Sequence, residues 1–292
     1  MNTTTPALHL TPSSPHWPEE LRDIEGPPPE LWIRGRTECL APGPRVAIVG
    51  TRAPSPYGET QAARFARAFA AAGCTVVSGL ARGIDQSAHR AVLEARGATI
   101  AVLGSGVDRP WPAGELTARI ASEGLLLSEF HPGEAPRPHH FPMRNRVISA
   151  LSRAVVVIEA AHASGSLITA RWAADQGRSV FALPGRVDHP MSKGSHKLIR
   201  EGAQLVEEPE EVLEELGIQP VGRGAETTAE SKDDPRRAFL LAALRGETRS
   251  SEELSRALHW PLTEVLVQLV ECEMDGQVRR LPGGRYQLVD PR

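Results

Sequence analysis

The chain has 292 residues, 40% of them hydrophobic, and a formal net charge of -3 at pH 7. That is enough to bury one large core and one small one, and too little positive charge to hold a polyanion anywhere except at a local patch. Three scattered cysteines, Cys39, Cys74 and Cys272, lack CxxC or Cys/His spacing, which excludes a zinc framework; with no basic start before an apolar core and no membrane-length apolar run, the expectation is a cytoplasmic protein with reduced thiols, no metal and no membrane contact.

Residues 1–44 are rich in Pro, Ser and Thr with one apolar stretch, "ELWIRG", and read as a short N-terminal appendage packed on the next domain. From 45 to 217, β-branched runs alternate with Ala-rich helical stretches. In order these are "RVAIVG", the helix "GETQAARFARAFAAAG", "TVVSG", the helix "GIDQSAHRAVLEARG", "TIAVLG", a helix near "GELTARIASEG", "LLLSE", a helix after "RNR", "AVVVIEA", "GSLITARWAADQG", "SVFALPG", "GSHKLIREGA" and "QLVEE". The unalternated apolar run Ala154 to Ile158 fits a strand covered on both faces. The fold class is therefore α/β, with a doubly wound, mostly parallel sheet.

Residues 218–235 are polar and uncapped and read as a linker. Residues 236–292 show helical spacing over Arg236–Leu244, Ser251–Leu258 and Leu262–Met274, with Ser250 or Ser251 as N-cap, and end in two short strands around a Pro-Gly-Gly turn. Three helices and a hairpin predict a small winged-helix domain. Its third helix carries Glu264, Glu271, Glu273 and Asp275, with no Lys or Arg between Pro261 and Gly276, and such a helix suits a phosphate-lined groove poorly.

In a doubly wound sheet, ligands gather beyond the carboxyl ends of the strands. After the first strand, "GTRAPSPYGE" combines Gly50 and Gly58 with Thr51, Arg52, Ser55 and a helix N-terminus, all able to face an anion; an ordinary β-to-α loop is the competing reading. It matches neither GxGxxG nor a Walker A loop, so no nucleotide cofactor is expected. After the second strand, Gly79, Arg82 and Gly83 precede Asp85, a candidate helix cap, and His89 reads as a packed histidine. Gly104 to Gly106 follow the third strand, and Glu159, Ser164, Gly165 and Ser166 lead into a helix that could also receive an anion. No histidine is tied by spacing to either serine, so no catalytic nucleophile is expected. The stretch "RPHHFPMRNR" sets Arg137, His139, His140, Arg144 and Arg146 around Phe141. Guanidinium groups that pair with phosphates and a ring that stacks on an unpaired base are what a single-stranded nucleic acid requires; the alternative is a core phenylalanine with helix-capping arginines.

These stretches together resemble the DNA-processing protein A family, DprA, also called Smf, in consecutive order from Leu31 to Leu216. The resemblance implies an extended Rossmann-type domain that binds single-stranded DNA. It also implies a homodimer that loads the RecA recombinase onto incoming strands during natural transformation, with a C-terminal winged helix and with neither catalysis nor cofactor. Its phosphate pocket falls on Gly50, Thr51, Arg52, Ser55 and Gly58, with Gly79, Arg82, Gly83 and Asp85 beside it, and Phe141, Arg144, Asn145 and Arg146 on the same face. Where some members carry a lysine before the Phe-Pro pair, this chain has His139 and His140, so charge there depends on pH. The wing arginines Arg279, Arg280 and Arg285 leave duplex DNA open as a further partner. The alternative of another class is a nucleotide-monophosphate phosphoribohydrolase of the lysine-decarboxylase-like fold; its "PGGxGTxxE" pattern is replaced here by "PGRVDHPMSKGSHKLI", without the assisting carboxylate.

Overall fold

The computed structural model describes residues 6–219, 235–244, 247–281 and 284–289. The chain forms two compact units, Met1–Val221 and Gly222–Arg292. In the first, a sheet is built from β1 (Leu8–Leu10), β2 (Leu31–Gly35), β3 (Arg45–Val49), β4 (Thr75–Ser78), β5 (Thr99–Val102), β6 (Leu125–Ser128), β7 (Ala154–Val157), β8 (Ser179–Ala182) and β9 (Gln204–Leu205). The helices are α1 (Pro56–Ala71), α2 (Ile84–Glu94), α3 (Glu115–Glu123), α4 (His140–Ala150), α5 (Ser166–Asp175), α6 (Lys193–Arg200) and α7 (Pro209–Glu215). Strand order is β1-β2-β6-β5-β4-β3-β7-β8-β9. From β6 through β9 every pairing is parallel, while β2 joins β6, and β1 joins β2, antiparallel.

Helices cover both faces, which is why β3, β5, β6 and β7 are buried at every position, with no exposed alternate face. All five residues of β3 are buried. Its Ala47 and Val49 pack with Val147, Ile148 and Leu167, whereas Val46 and Ile48 pack with Phe65, Phe69 and Ile84. Each fully buried phenylalanine contributes about 1.5–3 kcal/mol of transfer free energy. The crossovers from β3 run to α1 and β4 on one side, and β7 lies on the other, so the strand order reverses between β3 and β7. Beyond their carboxyl ends a crevice must open.

The segment read as an appendage is part of this sheet. In "LWIRG" Leu31 and Ile33 are buried at 0% and 1% exposure while Trp32 and Arg34 face the other way, the period of a strand. Gly35 has φ +124° and a side chain there would overlap the Gly124 carbonyl, so only glycine lets β2 meet β6 at that point. Arg45, 4% exposed, donates to the carbonyls of Leu151 (3.0 Å) and Ala41 (3.1 Å) and pairs with Glu20, tying the N-terminal segment to the sheet. A second difference concerns α4, which starts at His140 and so contains the whole Phe-Pro-Met-Arg-Asn-Arg stretch expected to precede it. Helix α7 is an element the periodicity does not announce, although Glu208 and Glu211 form a capping box around Pro209 at the first position. Among the described residues no helix is long and apolar enough to cross a membrane.

The second unit contains α8 (Pro235–Ala243), β10 (Arg249–Ser250), α9 (Ser251–Leu258), α10 (Leu262–Met274), β11 (Val278–Leu281) and β12 (Arg285–Leu288), with strand order β10-β12-β11. Leu240, Leu254, Val265, Leu269, Cys272 and Tyr286 form its core. Ser250 and Glu253 make the capping box that starts α9. Most of the expected linker, residues 220–234, and residues 282 and 283 of the expected turn lie outside the described residues.

Candidate nucleic-acid interface

The crevice beyond β3 and β7 is a cleft of about 660 Å³, bounded by Gly50, Thr51 and Arg52, by Phe141, Arg144 and Asn145 of α4, and by Ala161 and Ala163 to Ser166. Its floor holds two buried charged side chains, Arg144 (4% exposed) and Asp85 (6% exposed). They meet on either side of Gly79, where an added Cβ would fall 2.7 Å from Arg144 Nη2 and 2.9 Å from Asp85 Oδ2. Arg144 Nη1 donates to the carbonyls of Gly79 (2.9 Å) and Val102, and its Nε has no partner among the described residues. Asp85 accepts from the amides of Gly79 (3.1 Å) and Ala81 (3.3 Å). Asp85 therefore organises the β4–α2 turn from inside and also lines the cleft.

Burial sets the protonation of this floor. It pushes the Asp85 carboxyl up to about 6, against the opposing pull of Arg144 and the two amides. The Arg144 guanidinium is pushed down to about 10 by its own burial and remains charged at neutral pH. His89, fully buried, is pushed down to about 3 by burial and by Arg144. Its Nδ1 lies 2.7 Å from Thr99 Oγ1, which itself donates to the Val76 carbonyl, so Nδ1 carries the proton and the ring is a neutral core histidine.

The N-terminus of α1 is already occupied. Glu159, 4% exposed, reaches across from the end of β7 and accepts from the Ser55 amide (2.9 Å) and the Ser55 hydroxyl (2.6 Å), while its carbonyl accepts from the Thr51 amide (2.7 Å). Ser55 in turn accepts from the Gly58 amide (3.1 Å) as the helix cap. The expectation that Ser55 and Gly58 present donors to an outside anion is thus corrected: an internal carboxylate takes that place, because Gly58 has no side chain to keep it out. Sequence reasoning placed Glu159 at the end of a buried strand but missed its role as the acceptor that holds Ser55 at the start of α1. Gly50 and Gly83 serve packing as well. A Cβ on Gly50 would lie 2.6 Å from Ile84, and one on Gly83 would lie 2.7 Å from Pro54.

On the rim, Arg52 is exposed and has no ion pair among the described residues, and its Cζ stands 5.7 Å from the centroid of the Phe141 ring. The ring is half-buried. Its Cδ1 lies 2.9 Å from where a side chain on Gly104 would begin, so the bare backbone of Gly104 is its seat. Asn145 donates to the Gly165 carbonyl (3.3 Å), joining α4 to the start of α5, and Ser164 and Ser166 share a hydrogen bond at 2.8 Å.

Two expected contacts are turned inward. His140 is 3% exposed, stacked on Phe130 at 4.0 Å, with Nδ1 3.1 Å from the Gly104 carbonyl and Nε2 3.5 Å from Glu134. Arg146 makes a two-pronged pair with Glu129 (2.7 Å for both bonds) and donates to the Gly26 carbonyl (2.9 Å). On a helix, Phe141, Arg144 and Asn145 share one face at spacings of three and four, and His140 and Arg146 fall away from it. His139 and Arg82 stay exposed, but neither bounds the cleft.

Residues 9–217 match the family model described as DNA recombination-mediator protein A, and residues 224–284 match the DprA winged helix domain. The chain is 41% identical over 293 residues to Protein Smf of Escherichia coli K12, covering 97% of this chain and 78% of that one. It is 41% identical over 206 residues to the DNA processing protein DprA of Bacillus subtilis, covering 70% and 69%. Among solved structures, DNA processing protein A from Streptococcus pneumoniae superposes with a TM-score of 0.68 at 41% identity, covering 73% of this chain and 75% of that chain. The Helicobacter pylori protein, described for its single-stranded DNA binding mode, gives 0.66 at 31% identity, covering 72% and 95%. With the family model spanning most of the first unit and a relative matched along nearly the whole chain, this protein belongs to the DNA recombination-mediator protein A family.

Proposed function

We propose that this protein binds single-stranded DNA in the cleft between β3, β7 and α4, protects incoming strands, and passes them as a homodimer to the RecA recombinase during natural transformation and recombination. The observation that carries the binding step is the pairing of an unengaged Arg52 with the Phe141 ring above a floor charged by Arg144. A phosphate is drawn by the guanidinium groups, and the adjoining base has an aromatic surface to lie on. The carboxylates at the crevice are held by amides and a hydroxyl, which supports a binding module over a hydrolytic site. Transfer to the recombinase and dimerisation rest on the family likeness, as does the role in transformation.

Arg52→Ala is expected to weaken single-stranded DNA binding and to flatten the log-log dependence of affinity on salt by about one unit, since one phosphate contact and its released counterion are lost. Titration by fluorescence anisotropy at several salt concentrations checks this, and an unchanged slope would remove Arg52 from the phosphate ligands.

The Asp85 carboxyl adds a pH dependence. As pH falls through about 6 it takes up a proton, the Arg144 charge loses its neighbouring negative charge, and affinity for the strand should rise about tenfold, the scale of one charge acting over several ångströms. Asp85→Asn should hold affinity at the low-pH level throughout. Measuring both in a His139→Gln, His162→Gln background removes the exposed imidazoles of the segments next to the cleft residues. Melting is a poorer readout. The raised Asp85 value favours the fold below about 4 and loses that contribution as pH rises through about 6, whereas the lowered His89 value favours the fold above about 6.5 and loses it as pH falls toward about 3. The two trends oppose between them. A parent protein whose affinity stays flat from pH 7.5 to 5 would refute the assignment to Asp85.

A further inference from the structure

The same carboxyl edge of the sheet carries an aromatic that the cleft does not use. Trp111, in the loop between β5 and α3, is 53% exposed, although an indole ordinarily hides most of its large apolar surface. The backbone beneath it is fixed. Ser105 Oγ donates to the Arg109 carbonyl (2.8 Å), the Arg109 amide to the Gly106 carbonyl (2.9 Å), and Thr117 Oγ1 to the Pro112 carbonyl (2.7 Å). Gly104, the seat of Phe141, precedes Trp111 by seven residues, which bounds their separation at about 25 Å.

The loops flanking this route are basic and unengaged. Arg82 after β4, Arg109 beside Trp111 and Arg137 after β6 are all exposed, and none has an ion pair among the described residues. Of the nearby carboxylates, Asp108 accepts from the Gly133 amide (2.8 and 2.9 Å) and Glu134 lies 3.5 Å from His140 Nε2, while Glu115 at the start of α3 is exposed.

We infer that Trp111 is a second base-stacking platform, met by a single strand that leaves the cleft past Phe141 and crosses the β4, β5 and β6 loops over Arg82, Arg137 and Arg109. The inference rests on the single-stranded DNA reading of the cleft. An exposed indole among unpaired guanidinium groups suits an unpaired base between phosphates, since stacking takes any base and the cations track the backbone.

The test compares a thymidine oligonucleotide of about six residues, which fills the cleft, with one of about twenty, which reaches across the edge. Trp111→Ala should lower affinity for the long strand about tenfold and leave the short one unchanged, the scale of one lost base stack. The loss should persist at high salt, and Trp111→Phe should recover most of it. Arg109→Ala should flatten the salt slope for the long strand alone. Equal effects on both lengths, or none on the long strand, would overturn the inference while a deficit in Arg52→Ala would leave the cleft reading standing. A parent that bound neither oligonucleotide would instead overturn the cleft reading itself.

Discussion

Gly58→Ala should lower folding stability by about 2–4 kcal/mol, because the new methyl would stand about 2.6 Å from the carboxyl carbon of Glu159 and closer still to Oε2. The side chain of Glu159 is flexible in principle, but it is 4% exposed and any retreat gives up two hydrogen bonds from Ser55 and the negative charge at the α1 N-terminus. The loop it releases is the one that carries Arg52, so affinity for single-stranded DNA should fall as well, with the salt slope kept because no phosphate ligand has been deleted. Glu159→Gln separates the two contributions. It retains one acceptor for Ser55 while turning an amide N–H toward another donor, and it should destabilise less than Gly58→Ala. Chemical denaturation paired with DNA titration reads both effects; a Gly58→Ala protein with parental stability would show that the carboxylate is not held where the geometry puts it.

The Glu159 clamp also marks the point beyond which local sequence carries no signal. Strand runs, the Ala-rich helices and the glycine-bearing strand ends can be placed by period and spacing, because each is a local pattern. So can Arg52, Phe141, Arg144 and Asn145, which lie within motifs at those ends and converge once the sheet order is known. Glu159 and Ser55 are 104 residues apart, and no local signal joins a carboxylate on one strand to a cap on another. Arg146 escapes local reading for the same reason: its partner Glu129 lies outside the motif, and a guanidinium is free or engaged according to what folds against it. His140 differs by one helical position, since starting α4 at His140 turns that ring into the core and Phe141 outward. The strand pattern of "LWIRG" is present but short, and its proline-rich surroundings conceal that Leu31 and Ile33 complete the sheet.

Phe141→Ala should cost about 1–3 kcal/mol of single-stranded DNA affinity, and the loss should be the same at low and high salt because stacking releases no counterions. The ring is half-buried on Gly104, so it is neither the core residue nor the free platform that the sequence left as alternatives. Truncating a fully buried phenylalanine lowers stability by about 3–5 kcal/mol; with part of this ring already in water, about 1 kcal/mol is the expected change. Arg52 supplies a further reading. Its guanidinium stands over the ring at 5.7 Å and must move toward a phosphate when a base takes its place, so the two side chains act on one binding event. Each single substitution also removes the cost of breaking that contact, so the loss in the double substitution Arg52→Ala, Phe141→Ala should exceed the sum of the singles, by about 0.5–1 kcal/mol, the scale of an exposed cation–π contact. If Phe141→Ala instead lowered the melting midpoint by more than about 10 °C while DNA affinity held in the folded protein, the ring would be a core residue, since a shift of that size corresponds to more than about 3 kcal/mol in a domain of this length.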